Sequence, residues 1–209
     1  MGLISSWIGS VIKPAETFAA EKPNATLGKG MLNNAIVGIL VGLVVGVIIA
    51  LLVAMLGAML AAIPGMEIIA TLGILAIVVM PIVGAVGMIV GSLISAVIYL
   101  VFAKIFGGQG TFTQQYYLLS LPVVPMTVLS VLVSLIPFIG GIISLLLMLY
   151  SLYLTTLGLK EAHGYSLVKA VLTWVVPAII IFVIVAVVVG SMIASLMAIG
   201  APTGGNLVY

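Results

Sequence analysis

The sequence predicts an all-α integral membrane protein, with five transmembrane helices preceded by short N-terminal amphipathic or interfacial helices. Three observations predict it. Hydrophobic residues make up 65% of the 209 and charged residues only 5%. A soluble domain carries about a quarter charged residues, so this outer surface has to face lipid. Apolar runs long enough to cross about 30 Å of hydrocarbon recur after residue 30. Finally, five crossings put all six lysines (13, 22, 29, 104, 160 and 169) on one side, whereas six would divide them three and three. The positive-inside rule selects five, with a cytoplasmic N-terminus and an outside C-terminus.

The elements follow in order. In residues 1–12, Leu3, Ile4, Trp7, Ile8, Val11 and Ile12 recur at helical spacing, with Ser5, Ser6 and Ser10 opposite. That is a short amphipathic helix, with a Trp suited to the headgroup level. The charged stretch "KPAETFAAEKPNATLGKG" follows, with Pro14 and Pro23 each suited to a first helical position. Residues 1–30 therefore read as a cytoplasmic interfacial segment, 31–200 as the membrane domain and 201–209 as a non-cytoplasmic tail. Spans are expected at about 33–61, 81–106, 112–136, 140–162 and 167–199. Residues 64–80 hold an apolar run below the roughly 17 residues a span needs, and read as interfacial, re-entrant or part of a span. Thr111 and Gln114 form a capping-box start for span 3. Gly164 suits the stop of span 4 and Ser166 the cap of span 5. Pro177 is a kink candidate.

Small residues set the expected packing. Gly38, Gly42 and Gly46, continued by alanines, recur every fourth residue in span 1; Gly87 and Gly91 repeat the device in span 2, and Gly190 in span 5. Such stripes let backbones approach closely in lipid. The expected use is packing within the bundle, and the sharper alternative is a homodimer seam along span 1.

Chemistry is sparse. The chain has no Cys, and neither Arg nor Asp occurs. His163 is the one histidine and, with Lys160, sits where cations suit a helix C-terminus. No cofactor and no metal site is expected, and a net charge of +2 implies no nucleic-acid partner. "FGGQGTF" lacks the Lys-Ser/Thr ending of a phosphate loop and reads as a tight turn. An enzyme is the least expected class.

Three stretches carry a family resemblance: "KPAETFAAEKPNATLGKG" before span 1, "KIFGGQGTFTQQYYLLSLPVVP" through a Pro-broken span 3, and "LYSLYLTTLGLKEAHGYSLVKA" from span 4 into span 5. In order and spacing they resemble the Ypt-interacting-protein (Yip) domain family, in its prokaryotic type. The resemblance implies five spans, a cytoplasmic N-terminus and a non-enzymatic role. In eukaryotic relatives that role is vesicle traffic, with binding to Rab-type GTPases. The long N-terminal region and the Asp-Leu-Tyr-Gly-Pro stretch of those relatives are missing here, which argues against a Rab-type partner.

The expected function is a membrane scaffold or adaptor in a prokaryotic cytoplasmic membrane, organising membrane lipid, another membrane protein or a second copy of itself. Its working face would be built from Pro14, Phe18, Lys22, Lys29, Lys104, Gly107, Gly108, Gly110, Lys160, His163 and Lys169. The alternatives are a small-solute or lipid transporter using a crevice between spans 3, 4 and 5, and an accessory subunit of a larger membrane complex.

Overall fold

A computed structural model describes residues 2–60 and 68–200. Among these residues eight α-helices follow one another: α1 (Leu3–Ile12), α2 (Pro14–Glu21), α3 (Leu27–Leu60), α4 (Ile68–Ile105), α5 (Phe112–Ser120), α6 (Val123–Ser134), α7 (Ile139–His163) and α8 (Leu167–Gly200). A 3-10 turn, Lys22–Asn24, links α2 to α3. Among the described residues there is no strand, and five segments are long and apolar enough to cross a membrane: Leu27–Met59, Gly73–Ile105, Phe112–Ser134, Ile139–His163 and Leu167–Met197. The protein is a multi-pass integral membrane protein.

Local chemistry sets the breaks. The Thr111 hydroxyl accepts from the Gln114 N–H at 3.2 Å while the Gln114 side chain accepts from the Thr111 N–H at 3.1 Å, so the capping box is complete. Span 3 divides at Leu121 and Pro122, because Pro122 has no N–H for the preceding turn. Gly164 closes α7 in the left-handed region (φ 67°), its N–H on the Lys160 carbonyl at 2.9 Å. The Ser166 hydroxyl accepts from the Lys169 N–H at 3.4 Å at the start of α8.

Of the readings left open for residues 64–80, the described part, 68–80, forms the first turns of α4, which runs unbroken through Pro81. A proline marks a helix start in water, but hydrocarbon offers no substitute for intrahelical bonds, so continuing the helix costs less than ending it. Glu67, expected on the far side, the "IPG" end of span 1 and the 201–209 tail lie outside the described residues.

The tightest pairing is antiparallel, α3 on α4. A Cβ on Gly38 would collide with the Gly84 carbonyl and Ala85, one on Gly42 with the Met80 carbonyl and Pro81, and one on Gly46 would stand 2.6 Å from the Ala76 oxygen. The glycines of the span 1 stripe are thus packed on the α4 backbone of the same chain, while Ala54 and Ala58 further along it are exposed. Gly87, Gly91 and Gly190 differ: a Cβ on any of them meets nothing within 4 Å. These three carry the same pattern without a close contact to another helix.

Dense packing is concentrated where α2, α5, the end of α7 and the start of α8 meet. Phe18, Tyr117, Leu118, Leu121 and Ala162 form one buried cluster, and Ala103, Leu159, Tyr165 and Ala170 another. By contrast, every residue of α8 from Ala178 to Met197 is exposed. Helices in lipid gain no hydrophobic energy from burying apolar faces on one another, so a polar, close-packed end with apolar limbs in lipid is a stable arrangement.

Candidate functional site

The close-packed end carries the lysines, and its organising feature is a clasp between two turns. The "FGGQGT" turn between α4 and α5 lies against the "LKEAHG" end of α7. The Gln109 N–H donates to the His163 carbonyl at 3.1 Å, joining them backbone to backbone. Lys104 extends from the last turn of α4 and donates to the carbonyls of Gly108 (3.2 Å) and Gly110 (2.9 Å), holding the turn closed.

His163 is the pin. It is only 1% exposed, and its Nε2 lies 2.8 Å from Gln115 Oε1. The amide nitrogen of Gln115 donates to the Ala96 carbonyl at 2.7 Å, which leaves its oxygen to face the imidazole. The network therefore assigns the proton to Nε2. Nδ1 has no hydrogen-bond partner and is seated over the glycines: a Cβ on Gly108 would stand 2.8 Å from it, and one on Gly110 2.9 Å. The glycine spacing of the turn makes room for this ring. Gly107, at φ 84°, supplies the left-handed bend that starts the turn.

The remaining expected residues divide between interior and surface. Phe18, Gly108, Gly110 and His163 are buried, so they build the face and do not form its exposed surface. Phe18 became core because α2 folds back onto Gly158 and Leu118, where its ring is wholly covered. Pro14 opens α2 and is half-buried. Lys22 is half-buried and donates to the Glu161 carbonyl at 2.6 Å, tying the N-terminal segment to α7. Lys29 donates to the Asn24 carbonyl at 3.0 Å, with its ammonium 5.6 Å from the centre of the Tyr117 ring. Lys104, Lys160 and Lys169 are exposed, and Lys169 lies beside Gly107. A hollow of about 180 Å³ opens between Lys22, Gln109, Gly110, Gln114 and His163.

A buried polar network beneath the face was not singled out from sequence. Glu21 accepts from Ser6 and from the Tyr117 hydroxyl, each at 2.8 Å. Asn33 accepts from Trp7 Nε1 at 3.0 Å and donates to Ser120 at 3.0 Å. Asn34 donates to the Tyr116 hydroxyl at 3.3 Å, which pairs with Ser92 at 3.0 Å. The available signal was "NN" at the head of an apolar run and "QQYY" at the start of another, since amides and phenols there need partners once buried. Burial pushes the Glu21 carboxyl up, but the hydrogen bonds from Ser6 and Tyr117 are among the interactions that together hold the group below its ordinary 4.5.

A second feature is a cavity of about 440 Å³ lined by Pro122, Thr127, Ser130, Ser134, Ser151 and Thr155, among others. Its third wall is Val41 of span 1, where the sequence suggested span 5. The hydroxyls of Ser134, Ser151 and Thr155 donate to carbonyls of their own helices. Among the described residues no three His, Cys, Asp or Glu side chains come together.

In comparisons with known proteins, the Yip1 domain family model matches residues 8–190. Neither the curated proteins nor the solved structures contain a match.

Proposed function

The chain belongs to the Yip1 domain family, and from that premise we propose that it is a membrane scaffold whose lysine-bearing end recruits acidic partner surfaces. The observation that carries this reading is the clasp. The Lys104 ammonium closes the glycine turn and the buried His163 seats against it, while Lys160 and Lys169 stand exposed on the resulting face without such a role. Fixed backbone beneath mobile cations suits recognition of acidic segments of another membrane protein or of anionic headgroups, because little conformational freedom is lost on binding. No nucleophile, general base or metal takes part. On this reading the lysine-bearing end faces the cytoplasm of a prokaryotic cell, the orientation that the positive-inside rule favours.

The test is affinity capture from intact membranes with wild-type protein and with Lys160→Gln/Lys169→Gln. The scaffold reading expects a specific membrane-protein partner whose recovery falls several-fold in the variant and at raised salt. Equal recovery from both proteins would sink it. The 440 Å³ cavity is the observation favouring transport as a second reading. Solute flux in proteoliposomes, abolished by Ser130→Leu, would establish that instead.

A further inference from the structure

The N-terminal hairpin is built with its polarity reversed relative to a helix docked on a protein core. The serines of α1 point inward: Ser6 is 2% exposed and bonded to Glu21, Ser10 is fully buried, and Thr17 of α2 packs against Gly9. Its apolar row points outward, with Ile4 67%, Ile8 51% and Ile12 70% exposed and Leu3 beside them. This row repeats every four residues, so it forms one continuous stripe.

The position of the hairpin identifies what covers that stripe. Lys22 bonds the Glu161 carbonyl, Phe18 packs on Gly158, and the Tyr150 hydroxyl donates to the Val11 carbonyl at 2.5 Å. Traced from Lys22 back to Val11, the chain descends α7 from residue 161 to residue 150, about 16 Å of helix at about 1.5 Å per residue. Since α7 is a membrane span, the turn between α1 and α2 lies below the level of Lys22 and Lys160. Leu146, Leu149 and Tyr153, exposed on the turns of α7 that flank Tyr150, belong to the lipid-facing surface. The α1 stripe continues that surface. Lys13 and Glu16 at the turn offset one another at 3.7 Å, and the lysine stem is long enough to carry its ammonium back toward the headgroups.

We propose that α1 and α2 form a wedge in one leaflet, with Leu3, Ile4, Ile8 and Ile12 in contact with acyl chains. Two helices are thereby added to the lysine-side half of the bilayer, whereas among the described residues the other half holds only the five spans. The protein is broader at its lysine end and favours membranes convex on that side. This inference is independent of partner recruitment by the lysines.

The chain has no cysteine, so spin labels can be placed singly at Ile4→Cys, Ile8→Cys and Ile12→Cys in phosphatidylcholine liposomes. Lys29→Cys serves as the aqueous reference and Val183→Cys, exposed near the middle of α8, as the lipid reference. The wedge predicts an oxygen-to-nickel-chelate accessibility ratio that rises from Ile4 to Ile12 toward the lipid reference. Ratios equal to the aqueous reference at all three sites would overturn it. Partition between large extruded and small sonicated vesicles tests the consequence, counting the outward-facing protein by impermeant labelling of Lys29→Cys. Several-fold enrichment in small vesicles is expected, lost in Ile4→Ser/Ile8→Ser/Ile12→Ser with helicity retained. Partition independent of vesicle size would overturn the wedge even if the labels were buried.

Discussion

His163 Nε2 and Gln115 Oε1 lie 2.8 Å apart, joining the end of α7 to the first turn of α5 across 48 residues of sequence. Both groups are buried, so removing either strands the other. His163→Ala is expected to lower stability by about 1–3 kcal/mol, the cost of an orphaned buried acceptor plus lost packing. His163→Gln, which can still donate to Gln115, should recover part of it. Thermal unfolding in detergent with both variants measures this.

The ring also needs its glycine seat. Gly108→Ala would place a methyl 2.8 Å from Nδ1 and 2.9 Å from the Ala103 oxygen, an overpacking cost of about 1–3 kcal/mol. Combined with His163→Ala, part of that cost should disappear, because the ring it collides with is gone. A double-mutant cycle on the same unfolding signal reads the coupling, and strictly additive losses would contradict the seating.

Glu21 predicts a pH dependence. Its folded-state value lies below the ordinary 4.5, against the opposing effect of burial, with the Ser6 and Tyr117 hydrogen bonds among the causes. A depressed carboxyl contributes stability that is fully present above the unfolded value and is lost as pH falls through the folded one. The unfolding temperature should therefore fall as pH drops below about 4.5, and Glu21→Gln should flatten that fall while lowering stability at neutral pH. An unchanged acid limb in the variant would show that other groups carry it.

The glycine stripes predict opposite outcomes for similar substitutions. Gly42→Val would force the α3 and α4 backbones apart, costing about 1–3 kcal/mol or more. Gly190→Ala, with open space around it, should stay within about 0.5 kcal/mol of wild type. Unfolding temperatures of the two variants side by side decide it.

Tyr150→Phe removes the bond to the Val11 carbonyl and should cost about 0.5–1.5 kcal/mol. Because that bond anchors the low end of the hairpin, the loss should fall on α1 and α2 first. Amide exchange should therefore quicken there while α3 and α4 stay protected.

Hydropathy and the lysine spacing by themselves determined the class, the number of spans and the gathering of charge at one end, because crossing a bilayer imposes length and polarity requirements that each segment meets alone. The caps at Thr111 and Gly164 were legible for the same reason: their hydrogen bonds close within one turn. Partnership between distant segments was not legible. Three helices carry equivalent glycine stripes, and only tertiary structure set Gly38, Gly42 and Gly46 against a backbone while leaving Gly87, Gly91 and Gly190 open. The two glycine-bearing turns read as separate surface loops until the fold showed one to be the seat of the other's histidine. Phe18 read as a surface aromatic until α2 folded back along α7 and covered it. Backbone spacing and local pattern are short-range quantities, whereas burial depends on which faces meet, and in this protein those faces come from opposite ends of the chain.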